Sequence, residues 1–362
     1  VAIVENPVQT DLAAEIDADP IGTIANAARR FPLAGAIVGA VGLVVLLVAM
    51  WVVRDMATVP RSFLALLGGI GLWFGLQKIG AWKLGPNFSL GLVLSFVYLG
   101  LVLFVTIFAD FLPIEKFQNN ILPTNLAERR MRPGLRLDEP LGRDMLGGSL
   151  TTQVFYAGRV SLTIVLLAVA FGLLIGCFVG LVAGYFGKWV DSLISVFVNS
   201  ALAFPPLILL IVIVSIYSKT VWSIGLALAV VSVPTYSRIM RAQTLMFRER
   251  EFVTAARAMG ATGRRIMFRD ILPNAMLPVL SYMFINAAVV IIAEGSLAYL
   301  GLSVPFPKPT WGALISAGQD RLREHPHIVF VPATVMFLTV LSLNRIGDWA
   351  RKKVMGERNL LK

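Results

Sequence analysis

Long apolar runs alternate with short basic stretches along this chain. A helix needs about 20 apolar residues to cross the hydrocarbon core of a bilayer. Eight segments meet or approach that length: residues 33–53, 62–80, 88–108, 160–186, 190–216, 221–236, 272–300 and 328–343. The second carries Gln77 and Lys78 near its end. The fifth is interrupted by Pro205 and Pro206, where a kink is expected because proline removes a helical hydrogen bond. The sixth is short and ends at Pro234. The pattern predicts an all-α polytopic membrane protein.

Composition supports that class. Of 362 residues 57% are hydrophobic and only 15% charged, and the mean hydropathy is +0.78. A soluble domain carries about 25% charged residues, so a large soluble core is excluded. The net charge of +11 points to anionic membrane lipid and acidic protein partners, and no nucleic acid is expected. The one cysteine, Cys177, lies inside an apolar run, which excludes an intrachain disulfide and argues against a cysteine-based metal site. Residues 1–20 are acidic and lack a basic start, so they do not read as a secretory signal. The first apolar run follows Arg29 and Arg30 and is long enough to stay in the membrane.

Basic residues set the orientation. The loop after the sixth run holds Arg238, Arg241, Arg248, Arg250, Arg257, Arg264, Arg265 and Arg269, and the C-terminal end holds Arg351, Lys352, Lys353, Arg358 and Lys362. The positive-inside rule puts both in the cytoplasm, and eight crossings put the N-terminus there too. The long loop 109–158 then lies outside despite Arg129, Arg130, Arg132, Arg136 and Arg143, and long loops obey the rule poorly. The expected organisation is a cytoplasmic tail (1–32), an accessory transmembrane hairpin (33–86), a first core helix with an external loop (87–159), a core domain (160–350) containing a cytoplasmic loop at 249–273, and a cytoplasmic C-terminal tail (351–362).

That loop holds the strongest candidate chemistry. Glu249 and Glu251 suit the first turn of a helix. Phe252, Ala255, Ala256 and Met259 recur at helical spacing and predict one mostly small apolar face, flanked by Arg250 and Arg257. Gly260 suits a helix end; a second short helix is expected at 264–270, and Pro273 marks entry to the next run. From periodicity alone, a solvated loop with helical propensity fits equally well.

The segment resembles the EAA loop of ABC importer permeases. Ala255, Ala256, Gly260, Leu272 and Pro273 match it, while Thr254 stands where the motif has Glu and Glu251 lies one turn earlier. From about residue 88 to 351 the chain resembles the C-type permease of the dipeptide/oligopeptide/nickel importer family. The nearest stretch is AEGSLAYLGLSVPFPKPTW at 293–311, followed by Gly312. Asn344, Gly347 and Asp348 fit the family's pattern after the last run, and Leu141, Gly142, Asp144, Gly147, Arg159, Ser161 and Leu162 fit its signature before the fourth. Arg143, Gly148 and Ser149 depart from that signature.

The resemblance implies the six-helix transmembrane domain of type I ABC importers (MetI-like), with about two extra N-terminal transmembrane helices, in a bacterial inner membrane. It implies a non-catalytic permease subunit that pairs with a homologous second permease. Two cytoplasmic ATPase subunits and an extracytoplasmic substrate-binding protein are the other expected partners. Glu251, Thr254, Ala255, Ala256, Arg257, Gly260 and Arg264 would contact the ATPase. Peptides are the expected cargo, with nickel chelates and other peptide-like solutes as alternatives. No cofactor is expected on this chain, and ATP and Mg²⁺ belong to the ATPase subunits. Consistent with a borrowed motor, the sequence has no GxxxxGK[ST], and Gly187–Lys188 is followed by Trp189.

Other polar residues carry two readings. Glu294 is the one carboxylate well inside an apolar run, a candidate for the outer gate or a structurally satisfied group. Ser296, Trp311, Asn199 and Asn286 are candidates for the gate or substrate path; Ser200, Ser281 and Asn344 are further polar groups in apolar runs. For any single one of these groups, interhelical hydrogen bonding is the favoured reading. Ala293, Gly295, Ser296, Ala298 and Gly301 are small enough for close helix packing. His325 and His327 form a pair, and two ligands do not complete a transition-metal site. A stand-alone channel or ion-coupled transporter is the competing class; it needs mid-membrane charges or broken helices, and Glu294 and Pro205–Pro206 are what the chain offers.

Overall fold

The computed structural model describes residues 32–48, 58–85, 88–111, 141–144 and 147–359. Among them no strand occurs, and one isolated bridge joins Arg143 to Ser149. Residues up to Leu94 and residues from Ser95 onward form two separate compact units.

The first unit contains α1 (Pro32–Leu47) and α2 (Thr58–Leu84). Their glycines face each other. A Cβ on Gly75 would stand 2.2 Å from the Gly39 Cα, and one on Gly71 would stand 3.0 Å from the Gly42 Cα. The two backbones therefore touch, which side chains would prevent. Gln77, a polar interruption in the sequence, accepts from Leu90 N and donates to Phe88 O, both at 2.7 Å, and so fixes the chain's exit from the hairpin. Residues 49–53 of the first expected span lie outside the described residues.

The second unit is a helical bundle. α3 (Leu90–Ile107) begins before it and runs into it; α4 (Leu150–Phe186), α5 (Lys188–Ala203), α6 (Pro206–Ile216), α7 (Val221–Arg248), α8 (Glu251–Ala258), α9 (Gly263–Tyr299), α10 (Trp311–Gly318) and α11 (His327–Asn359) follow. Among the described residues α3, α4, α7, α9 and α11 are each long and apolar enough to cross a membrane, and α5 with α6 makes a sixth candidate, bent by 93°.

Contacts fix how the chain threads. α4 and α7 run parallel: Gly172 lies against Ala229 and Ser232, Gly176 against Val233 and Tyr236, Gly180 against Ser237 and Arg241, and Gly184 against Thr244. Parallel neighbours require the intervening pair α5–α6 to cross back, so the bent pair is one span. Asp191 at the start of α5 meets Arg241 near the end of α7, and Lys219 after α6 donates to Gly301 O beyond the end of α9. The α4–α5 turn and α8 thus share one end of the bundle, here the arginine-rich end. α9 runs from it, with Gly263 against Tyr185, and α11 runs back toward it, since His327 sits beside Arg143 near the start of α4.

Several helices outrun their apolar stretches. α4 starts at Leu150, so residues 150–159, expected as external loop, are helical. At 1.5 Å per residue its 37 residues span about 56 Å, well beyond a hydrocarbon core of about 30 Å. α7 continues through Pro234 to Arg248 instead of ending at the proline. Pro234 is buried inside the bundle, where neighbouring helices hold the axis despite the missing hydrogen bond. α9 starts at Gly263, not 272, so the expected second short helix is its first turns. A π-helical segment at Ile266–Ile271 leads into Pro273; its wider hydrogen-bond spacing re-registers the backbone around a residue with no N–H to donate. α11 reaches Asn359 through what was expected to be a tail. Apolar periodicity marks what lies in lipid, whereas a helix stops at caps and breakers.

Candidate functional site

The arginine-rich end is built from the α7–α8–α9 connection. α7 closes at Arg248, and Arg250 N donates to Phe247 O at 3.1 Å. The Arg250 carbonyl then accepts from Val253 N and Thr254 N, starting α8. Glu251 occupies the first turn and Arg257 the last, both complementing the helix dipole. Gly260 has φ +80°, a left-handed turn that ends the helix.

Val253 roots α8 to the bundle. It is 0% exposed and packs in a cluster with Leu181, Tyr236, Met240, Ile266 and Ile271, with Ala256 and Ala261 against it. The expected apolar face therefore splits. Ala256 turns inward, while Phe252 (43% exposed), Ala255 and Met259 (81% exposed) turn outward. Glu251, Thr254, Arg257, Gly260 and Arg264 are exposed beside them. Sequence reasoning missed Val253; its signal was the i, i+3 pair that it forms with Ala256. It also missed the stripe Gly172, Gly176, Gly180 and Gly184, whose four-residue period announces backbone-to-backbone packing.

At the opposite end lies a buried polar cluster. Glu294 on α9 is 1% exposed, and its Oε1 accepts from the Ser303 hydroxyl at 2.7 Å. The Thr310 and Ser161 side chains lie beside the same carboxylate. Ser161 Oγ in turn accepts from Trp311 N at 3.1 Å, and Trp311 Nε1 donates to Val154 O at 3.0 Å. Gly312 permits the close approach of α10 to α9, since a Cβ there would stand 2.6 Å from the Gly295 Cα. Glu294 thus ties α4, α9 and the segment leading into α10.

The other proposed path residues do not converge on one cavity. Trp311 is 1% exposed within this cluster. Asn286 is buried and donates to Ser232 Oγ at 3.3 Å, an interhelical bond. Asn199 is exposed on α5. Ser296 bonds to its own helix at Ile292 O and lines two apolar cavities, of about 400 and 230 Å³.

The signature before α4 has a local structural role. Ser149 caps α4 by accepting from Thr152 N, and Asp144 accepts from Gly148 N and Gln153 Nε2 at 2.7 and 2.6 Å. Arg143 Nη1 donates to Gly147 O, and Gly142 and Gly147 take positive φ in the turn. His327 Nε2 lies 3.3 Å from Arg143 O, so this histidine helps hold the capping turn. Among the described residues no group of three or more His, Cys, Asp or Glu comes together as a metal site.

Comparison with known proteins aligns with this architecture. Residues 172–356 match the family model described as the binding-protein-dependent transport system inner membrane component. The dipeptide transport system permease protein DppC of Alkalihalophilus pseudofirmus is 34% identical over 250 residues, covering 68% of this chain and 82% of that protein. The glutathione transport system permease protein GsiD of Pectobacterium atrosepticum is 33% identical over 211 residues, covering 58% and 70% respectively. A solved structure of the MetNI methionine ABC transporter in inward-facing conformations gives a TM-score of 0.45 at 19% identity, over 54% of this chain and 93% of that one.

Proposed function

This chain belongs to the inner membrane components of binding-protein-dependent transport systems, and from that premise we propose that it is the permease of an ATP-driven importer for di- or oligopeptides. The peptide cargo rests on the names of its relatives, a dipeptide and a glutathione permease. The chain pairs with a homologous second permease in the bacterial inner membrane, with the arginine-rich end and both termini in the cytoplasm. An extracytoplasmic binding protein delivers the peptide. Two ATPase subunits hold ATP and Mg²⁺ and dock on the α8 segments of the two permeases. The α1–α2 pair is an accessory hairpin outside the six-span core.

The observation that carries this reading is the posture of α8. Val253 anchors it, while Phe252 and Met259 face away from the bundle among exposed arginines. A short helix rooted by one side chain and apolar on its outer face is shaped to receive a soluble partner. Closure of the ATPases on ATP displaces α8 and biases the bundle between outward- and inward-open states.

Affinity purification of the tagged chain from its own membranes tests the docking. The intact chain retains an ABC ATPase, and Met259→Glu loses it while still inserting and retaining the second permease. An intact chain that never retains an ATPase contradicts the reading.

A further inference from the structure

The turn between α4 and α5 sits beneath both ends of the α8 connection. Before α8, Arg248 Nη1 donates to Gly184 O and Tyr185 O at 3.3 and 3.1 Å, capping the end of α4. After α8, Gly263 lies so close to the Tyr185 ring that a Cβ there would stand 2.9 Å from its hydroxyl oxygen. The turn itself is sharp, with φ +64° at Gly187 and +46° at Lys188. One turn further on, Asp191 is gripped by Arg241: Nε donates to Oδ1, and Nη2 donates to Oδ2 at 2.6 Å. Ser195 Oγ adds a longer bond to Oδ1 at 3.4 Å.

α5 is otherwise loosely held. It has no buried residue, and it ends in the 93° break before α6, where Pro206 starts a new helix and the hydrogen-bond ladder is interrupted. By contrast, α7 is locked to α4 by backbone contact along the glycine stripe and leads directly into α8. One exposed rod with a break at its far end, joined at its base to a closely packed one by a two-pronged ion pair, has the arrangement of a lever and pin.

We propose that the Arg241–Asp191 pair, backed by Arg248 on the α4 terminus, is the pin that makes α5 swing about the 203–206 break when α8 is displaced. Arg241 and Asp191 are positioning residues in this scheme, acting through α5. The fork matters as well as the charge, because two parallel bonds fix the direction of α5, and a lysine ammonium supplies a point charge without that direction. The proposal rests on the reading of α8 as the ATPase contact.

The test is the number of peptides moved per ATP hydrolysed by the complete complex in proteoliposomes, with labelled dialanine as probe. Arg241→Lys and Asp191→Asn are expected to keep the ATPases bound and hydrolysing. Their transport per ATP should fall at least about tenfold, the scale of one charge-assisted hydrogen bond. The exchange Asp191→Arg with Arg241→Asp should recover at least half of the loss. An unchanged ratio in both single variants overturns the proposal. So does an exchange variant no better than the singles, or loss of ATPase binding in the singles, because the pin transmits motion and does not dock the motor. If the unaltered complex shows no ATP-dependent uptake of the probe, the importer reading fails instead.

Discussion

Glu294 illustrates how a carboxylate is kept inside a bundle: the Ser303 hydroxyl donates to it at 2.7 Å, and Thr310 and Ser161 lie beside it. Removing the acceptor leaves the buried Ser303 hydroxyl unmatched, at about 1–3 kcal/mol. Glu294→Ala should therefore destabilise the solubilised protein by about 2 kcal/mol, and Glu294→Gln, which keeps one carbonyl acceptor, by about 1 kcal/mol. Thermal unfolding in detergent checks the order; equal losses contradict the network. The glycine stripe makes a second residue-level prediction. A Cβ on Gly180 would stand 2.3 Å from Ser237 O, whereas one on Gly100 meets nothing within 4 Å. Gly180→Ala should cost about 1–3 kcal/mol through overpacking, and Gly100→Ala should leave the melting temperature unchanged or slightly raised. Glu294 stood out in the sequence because it is ionisable and surrounded by apolar residues. Its neighbours did not, since hydroxyl residues 9 to 133 positions away in sequence carry no periodic mark.

At the scale of elements, spans were legible and ends were not. The hydrophobic runs located every crossing helix of the second unit, because burial in lipid writes itself as length and apolarity. The ends of α4, α7, α9 and α11 depended on caps, on a π-helical segment ahead of Pro273 and on neighbours around Pro234. The posture of α8 followed the same division. Its bounds could be read from Glu251 and Gly260, but which side faced the bundle was decided by Val253 entering a cluster assembled from α4, α7 and α9. Replacing Val253 by Asp would bury an unpaired charge and should detach α8, seen as new protease cleavage at the nearby arginines with the rest of the bundle intact; unchanged cleavage contradicts the anchor. Gly260→Pro imposes φ near −65° on a residue at +80°, so it should abolish transport while insertion and pairing persist. Normal uptake at normal expression would refute that role for the turn.

For the whole molecule, the second unit is a six-span bundle whose one end gathers the α4–α5 turn, the α7–α8–α9 connection and the end of α11. Family membership explains why so much of both ends was readable: the Ala255, Ala256, Gly260 and Pro273 pattern at one end and the 293–312 stretch at the other are local strings. The cluster around Glu294 and the clamp on Asp191 join residues far apart in sequence, and only the folded bundle brings them together. The central claim is that this bundle is driven by a separate motor through α8. The direct measurement is peptide uptake into proteoliposomes containing this chain, its paired permease and a loaded binding protein, with and without the ATPase subunits. The account predicts uptake only when the ATPases and ATP are present, falling to background in Met259→Glu. Uptake that continues without the ATPases, or that Met259→Glu leaves untouched, would contradict it.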